Sequence, residues 1–187
     1  MPRLALAFCL IFLAACARPA LEEAPEPIGD FRLGFLVPVA SPNLTKGPAS
    51  REATAEEWDA AMEAAFRPRL ERYEGGKFYH LGVITEGYVL AQPGIPIVLS
   101  PKSALIFSIT VIDDATETRL TEEPVQFTVV ESFNAASFFG SGYVMSREAQ
   151  MKNLAENAAV QAEEWLREQP WFTAVEPAPE DAETPVQ

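Results

Sequence analysis

Four segments of the chain are patterned like β-strands and two like amphipathic helices, and their order leaves few folds open. The strand-like segments alternate between apolar and polar residues or are rich in β-branched and aromatic residues. They are residues 31–37, 77–90, 104–113 and 125–133. With one helical segment after the first strand and one after the last, the order is βαβββα. Elements with one apolar face bury it most simply when the helices pack on one side of a sheet.

The first strand is expected to be short. Its alternation predicts that one face carries Phe31, Leu33, Phe35 and Val37. Pro38 is expected to end the strand, because proline cannot donate a hydrogen bond to a neighbouring strand. A loop rich in Pro, Ser, Asn and Gly is predicted from residue 41 to residue 53.

The first helix has a clear start signal. Thr54 and Glu57 match a capping box, in which each side chain accepts a backbone N–H of the other residue. Pro68 is expected to kink the helix or end its regular part, and Gly75 and Gly76 to close it. A buried stripe is predicted from residues that recur every three or four positions. These are Trp58, Met62, Ala65, Phe66 and Leu70.

The second helix is predicted to begin after Ser146 as the N-cap and to run up to Pro170. Its apolar stripe consists of Met151, Leu154, Ala155, Ala158, Ala162, Trp165 and Leu166. The sequence therefore predicts a single α+β domain over residues 31–172. It consists of a four-stranded, largely antiparallel sheet with two helices on one face.

The start of the chain looks like an export signal. A short cationic segment ending at Arg3 precedes an apolar run, residues 4–13, that is too short to span a bilayer as a helix. The motif Leu13-Ala14-Ala15-Cys16 resembles the lipobox of bacterial lipoproteins. The resemblance implies that residues 1–15 are removed and that Cys16 carries a diacylglyceryl group and an N-acyl chain such as palmitate. The alternative is an ordinary signal peptide in which Cys16 is incidental.

By the sorting rule of that class, Ala17 after the cysteine implies the outer membrane, with the protein facing the periplasm; the inner membrane is the alternative. Residues 16–30 are expected to be a disordered tether and residues 173–187 a disordered acidic tail, because both are rich in proline and acids. With Cys9 in the removed segment and Cys16 acylated, no disulfide is expected.

A wider resemblance rests on the lipobox, the tether, the βαβββα order and the alanine-rich last helix. Together they resemble small bacterial envelope lipoproteins, among them the lipopolysaccharide-assembly lipoprotein and the accessory lipoproteins of lipid transporters. Residues 142–158 are similar to the aromatic turn that leads into the last helix of that class. The resemblance implies no catalytic residue.

Charge and residue types argue against several functions. With 14 Lys and Arg against 27 Asp and Glu, the net charge is −13, which disfavours binding to nucleic acid. His80 is the only histidine, so we expect a strand residue satisfied by a neighbour and no histidine–cysteine metal site. Asp113 and Asp114 suit a hairpin turn better than calcium. We therefore expect no enzyme activity, no cofactor and no metal.

Two apolar segments between the regular elements are candidates for contact with a partner or ligand. The first follows the second strand and includes Ile95 and Ile97, and the second precedes the last helix. The second contains four aromatic rings interspersed with small residues, those of Phe133, Phe138, Phe139 and Tyr143. The rings could instead close the end of the core. If both segments lie at one end of the sheet, they would form an apolar rim.

These patterns favour a lipid-anchored, periplasm-facing, non-enzymatic accessory protein that docks on another envelope protein or complex. The membrane partner would be reached through the acyl chains on Cys16. A second hypothesis is a carrier or sensor of a small apolar ligand or lipid bound between the sheet and the helices. A third is a hydrolase that uses His80 with a nearby serine. The sequence leaves the oligomeric state open.

Overall fold

The computed structural model describes residue 21 and residues 23–92, 103–131 and 145–172. These residues form one α+β domain, which confirms the predicted fold class. The strands are β1 (Arg32–Lys46), β2 (Phe78–Val89), β3 (Ala104–Asp113), β4 (Thr118–Arg119) and β5 (Val125–Val130). The helices are α1 (Ala55–Leu70) and α2 (Arg147–Arg167), followed by a 3-10 turn (Pro170–Phe172).

The sheet is built around β2 and β3. β1 pairs with β2 in parallel, β3 pairs with β2 antiparallel, and β4 and β5 both pair antiparallel with β3. We call the end of the sheet at Arg32, Phe78 and Asp113 the lower end. The opposite end, at Val89 and Ala104, is the upper end. The sheet is therefore largely antiparallel, as predicted, with β4 as an addition of two residues.

Both helices cover the same face of the sheet. α1 packs against β1, and α2 packs against β3, β5 and α1. The predicted stripes are confirmed, because Trp58 and Met62 of α1 and Leu154 and Leu166 of α2 are fully buried. The capping box at Thr54 and the Ser146 cap are also present.

The face assigned to β1 from the sequence is wrong for half of its residues. Leu33 and Leu36 are buried, whereas Phe35 is 68% exposed and Val37 is 53% exposed. The register between β1 and β2 shifts between Leu33 and Leu36, which marks a β-bulge. An inserted residue moves every later side chain to the opposite face, so the alternation read from the sequence breaks at this point.

Two predicted boundaries are also corrected. β1 continues through Pro38 to Lys46, because it is an edge strand and an N–H on its outer side is not needed for pairing. α1 ends at Leu70, with Glu71 as its C-cap, well before Gly75. Gly75 instead lies against the backbone of Phe31, whose carbonyl accepts its N–H at 2.9 Å, and a side chain would not fit there.

Residues 23–30, which we call the packed linker, lie on the lower end of the domain. Ile28 is buried, and the N–H of Asp30 donates to the carbonyl of Phe172 at 2.7 Å. Arg72 donates to the carbonyl of Glu23 at 3.3 Å. This part of the expected tether, residues 16–30, is therefore ordered against the core, because one apolar side chain and its neighbouring backbone find partners there.

Candidate functional site

All the contact residues predicted from the sequence lie outside the described residues. They are Cys16, Ile95, Ile97, Phe133, Phe138, Phe139 and Tyr143. The described chain nevertheless shows where the two apolar segments begin and end. Residues 93–102 connect β2 to β3, and residues 132–144 connect β5 to α2. All four of these junctions are at the upper end of the sheet.

Ser103 joins three of the four junctions. It is fully buried, and its Oγ accepts the N–H of Ala91 at 3.2 Å while its carbonyl accepts the N–H of Glu131 at 2.9 Å. Gln150 of α2 donates from Nε2 to the carbonyl of Ala91 at 3.3 Å. The ends of β2 and β5 and the start of β3 are thus held together by backbone groups that would otherwise be unpaired.

Arg51 ties in the fourth junction. Its Nη1 donates to the carbonyl of Met145 at 3.0 Å, and its N–H donates to the carbonyl of Leu90 at 2.9 Å. Ser50 Oγ accepts the N–H of Leu90 at 2.8 Å. The described residues that flank both apolar segments therefore lie within one hydrogen-bonded cluster at the upper end. The rim itself lies outside the described residues.

Both helices also begin at this end, and an ion pair joins them. Arg147 at the start of α2 donates to both carboxylate oxygens of Glu57 in the first turn of α1 and to the carbonyl of Glu52 at 3.0 Å. The hydrogen bond from Arg147, with one from the N–H of Thr54, holds the pKa of Glu57 below its usual value. The pair fixes the two helix starts relative to each other.

Among the grooves lined by described residues, two lie on the outside of the domain. One, of about 370 Å³, runs between the helices over Ala60, Ala61 and Ala64. The other, of about 640 Å³, lies on the sheet face opposite the helices, over Ile84 and Ile106. Neither lies between the sheet and the helices, where the hypothesis of a ligand carrier requires a cavity.

His80 has partners on both ring nitrogens. The N–H of Phe35 donates to Nδ1 at 2.9 Å, and Nε2 lies 2.8 Å from Oδ1 of Asp114. This confirms the prediction of a strand histidine that is satisfied by its neighbours. The serine contact on which the hydrolase hypothesis depends is not among these interactions in the described part of the chain.

The turn after β3 behaves as the sequence predicted. Asp113 Oδ1 accepts the N–H of Thr116 at 2.9 Å and its hydroxyl at 3.0 Å. The hydrogen bond from the Thr116 N–H lowers the pKa of the Asp113 carboxyl. Within the described ranges, no three His, Cys, Asp or Glu side chains converge as metal ligands would.

Sequence reasoning missed a buried ionic cluster at the lower end. Glu163 of α2 is fully buried, and its oxygens accept from Arg69 at 2.6 Å, from Arg72 at 2.6 Å and from the Tyr73 hydroxyl at 2.5 Å. The only signal in the sequence is that Glu163 falls on the apolar stripe of α2. Its partners lie about 90 residues away along the chain, so the sequence does not pair them.

The cluster sets the protonation of its members. Burial raises the pKa of Glu163, but the hydrogen bonds from Tyr73, Arg72 and Arg69 together outweigh it and hold that pKa below its usual value. Burial and the hydrogen bond to Glu163 raise the pKa of Tyr73 to about 12. The carboxylate is therefore charged at neutral pH and joins the two helices.

The sequence matches no protein-family profile and no curated protein. Several solved structures are similar to part of this chain. One is a Xanthomonas campestris protein of the DUF330 family, at 13% identity over 72% of this chain and 82% of that chain, with a TM-score of 0.41. A second is the PelC dodecamer from Paraburkholderia phytofirmans, at 8% identity over 74% of this chain and 93% of that chain, with a TM-score of 0.37. A third is a minor lipoprotein from Acinetobacter baumannii, at 12% identity over 71% of this chain and 90% of that chain, with a TM-score of 0.32.

No helix in the described part of the chain is long and apolar enough to cross a membrane.

Proposed function

We propose that this protein is a lipid-anchored, periplasm-facing, non-enzymatic accessory protein of the outer membrane. It docks on another envelope protein or complex through the apolar segments at its upper end. The observation that carries the proposal is that both apolar segments start and finish at the upper end, while the N-terminal linker joins the domain at the lower end. β2 has 12 residues, so the two ends are about 40 Å apart.

Because of this separation, the lower end would serve for anchoring and the upper end for contact with a partner. A lipid group on Cys16 would hold the lower end near the membrane, because residues 23–30 are packed on the domain and residue 23 is only seven positions after Cys16 along the chain. Seven residues span at most about 25 Å. The upper end would then face away from the membrane, where a periplasmic domain of a partner is within reach.

Photo-crosslinking in intact cells tests the docking step. A photoreactive residue at Phe138 or Tyr143 should give one adduct of defined mass, which mass spectrometry identifies as an envelope protein. The matched control is the same residue at Glu117, which lies in the exposed turn after β3 at the lower end. Identical adducts from Glu117, or none from either upper position, would contradict the proposal. An acyl lipid as the adduct would favour the carrier hypothesis instead.

A further inference from the structure

We propose that the sheet face opposite the helices, the open face, is the interface of a homodimer with parallel subunits. The open face carries the side chains that alternate with the buried ones along the strands. Six of its apolar residues, which we call the open-face patch, are Phe35, Val37, Val39, Ile84, Ile106 and Val130. All except the half-buried Ile84 are exposed to solvent in the single chain.

The register of the strands makes the patch continuous. Val37 pairs with Gly82 and Val39 with Ile84 across β1 and β2. Ile84 in turn pairs with Ser108 on β3. Paired positions lie about 5 Å apart on the same face, so Val39 and Ile84 are direct neighbours, and Ile106, two positions before Ser108 on β3, lies diagonally across from Ile84.

The open face is also poor in charge. In a chain with 22% charged residues, the described strands place Arg32, Glu86 and, opposite Ile112 at the lower end, Arg119 there as full charges. Arg32 lies at the lower corner, over the ring of Phe78, and Glu86 accepts a hydrogen bond from Gln126. Depletion of charge is the signature of an interface core. In a two-fold dimer each patch meets its own copy, so a charged face would repel itself and an uncharged one does not.

Two sheets can also associate by pairing their edge strands, but the outer edge of β1 disfavours this. Pro38 has no N–H to offer, and the N–H of Ala40 donates to Oδ1 of Asp59 on α1 at 2.6 Å. A strand added to this edge would find these two positions without donors. Packing of face on face therefore remains as the way for two copies to cover the exposed apolar residues.

The size of the face sets the strength of the dimer. Four strands about 4.8 Å apart, the shortest with 6 residues and the longest with 15, give a face of roughly 600 Å². Two such faces bury about 1,200 Å², which is the lower limit for a stable interface. We therefore expect a dissociation constant in the micromolar range in solution. Attachment of both copies to one membrane would raise their effective concentration and favour the dimer.

The parallel orientation of the two subunits is inferred from the position of the packed linker at the lower end. This inference rests on the proposed anchoring through Cys16. Two sheets that pack face to face keep their strands within about 30° of each other. With the two-fold axis along the strands, both packed linkers leave on the same side, so that both acyl anchors reach one membrane. With the axis across the strands, the linkers would leave at opposite ends.

Sedimentation equilibrium tests the interface with the chain that begins at residue 16 and carries Cys16→Ser. We expect a monomer–dimer equilibrium, and at least a tenfold higher dissociation constant for Val37→Lys and for Ile106→Lys. The matched control is Leu21→Lys, because Leu21 is 50% exposed but does not belong to the sheet. Thermal unfolding at low protein concentration should be unchanged in all three variants. A monomer up to about 200 μM, or a dimer unaffected by both sheet variants, would overturn the proposal.

A distance measurement tests the orientation. Glu117→Cys gives a single thiol in this chain, because Cys9 is absent from it and Cys16 is replaced. Spin labels at this lower-end position should be less than about 30 Å apart in a parallel dimer. In an antiparallel dimer they should be about 40 Å apart or more, the length of the sheet, and that result would overturn the parallel arrangement. Because both experiments use the purified chain, failed crosslinking in cells would leave their outcome untouched.

Discussion

The backbone N–H of Phe35 donates a hydrogen bond to Nδ1 of His80 across the β1–β2 pair, at 2.9 Å. This bond lies at the bulge where β1 changes register, between Leu33 and Leu36. A neutral His80 with its proton on Nε2 satisfies both Phe35 and Asp114, because Nδ1 then accepts and Nε2 donates. The contact therefore anchors the bulge that turns Phe35 and Val37 onto the open face.

Gly34→Ala should destabilise the domain by about 1–3 kcal/mol, because an added Cβ would lie only 2.6 Å from Cε1 of His80. The ring would have to leave its position against β1, and the hydrogen bond to Phe35 would be lost. Urea unfolding measures the effect. The control is Gly82→Ala on β2, where the nearest atom would be Cβ of Thr110 at 3.9 Å. Equal losses for the two variants would argue against a special role for the His80 contact.

Glu163→Gln should lower the free energy of unfolding at pH 7 by about 3 kcal/mol, because the guanidinium groups of Arg69 and Arg72 lose their buried countercharge. The neighbouring Glu164 is exposed, so Glu164→Gln serves as the control and should change little. Denaturant unfolding of both variants gives the comparison. A loss in Glu163→Gln no larger than in Glu164→Gln would contradict the structural role of the cluster.

The effect of Glu163→Gln on the free energy of unfolding should depend on pH. The pKa of Glu163 lies below its ordinary value of 4.5 in the folded chain, so the carboxylate stabilises the fold fully above that value. The contribution is lost as the pH falls through the lowered pKa. The difference in unfolding free energy between the wild type and Glu163→Gln should therefore be constant from pH 7 to about pH 5.5 and shrink below pH 4. A difference in unfolding free energy that grows as the pH falls would contradict this prediction.

Gly29→Ala should detach the packed linker. Gly29 has a φ of +113°, and an added Cβ would lie 2.8 Å from the carbonyl carbon of Phe172. Hydrogen exchange should show faster exchange of the Asp30 amide, which donates to the Phe172 carbonyl in the wild type. Gly82→Ala leaves this contact intact and is the control. Unchanged protection of Asp30 would show that the linker tolerates the side chain.

Cys16→Ser should release the protein from membranes or leave its signal segment uncleaved. The thiol is the acceptor for the diacylglyceryl group in the proposed anchoring, and serine does not replace it. Membrane fractionation and gel mobility read out the two outcomes. Cys9→Ser is the matched control, because Cys9 lies within the segment that the proposed processing removes. Unchanged fractionation and processing of Cys16→Ser would refute the lipid anchor.

Several local features of the fold could be predicted from the sequence because neighbouring residues determine them. The capping box depends on Thr54 and Glu57, three positions apart, and both of its hydrogen bonds form. The turn after β3 depends on Asp113 and Thr116, and its hydrogen bonds form as well. The stripes of α1 and α2 follow from helical spacing alone. Each of these signals is complete within a few residues, so no distant contact is needed to read it.

The β1 bulge was not predictable in this way. Alternation places Phe35 beside Leu33 on the buried face, and only the partner strand, with His80 opposite, fixes where the register shifts. The packed linker is a second case. Its proline-rich, acidic composition indicates disorder, yet Ile28 finds a buried site that Phe31 and Phe172 form together with the rest of the core.

The order of the elements, the fold class and the motif that predicts an anchor at Cys16 can all be read from the sequence alone. Tertiary contacts were needed to show which face β1 presents to solvent, which arginines pair with Glu163, and that the residues flanking both apolar segments lie at the end opposite the linker. Periodicity and capping act over a few residues, whereas these features depend on groups tens of residues apart. Their positions become defined only when the sheet and the helices pack together.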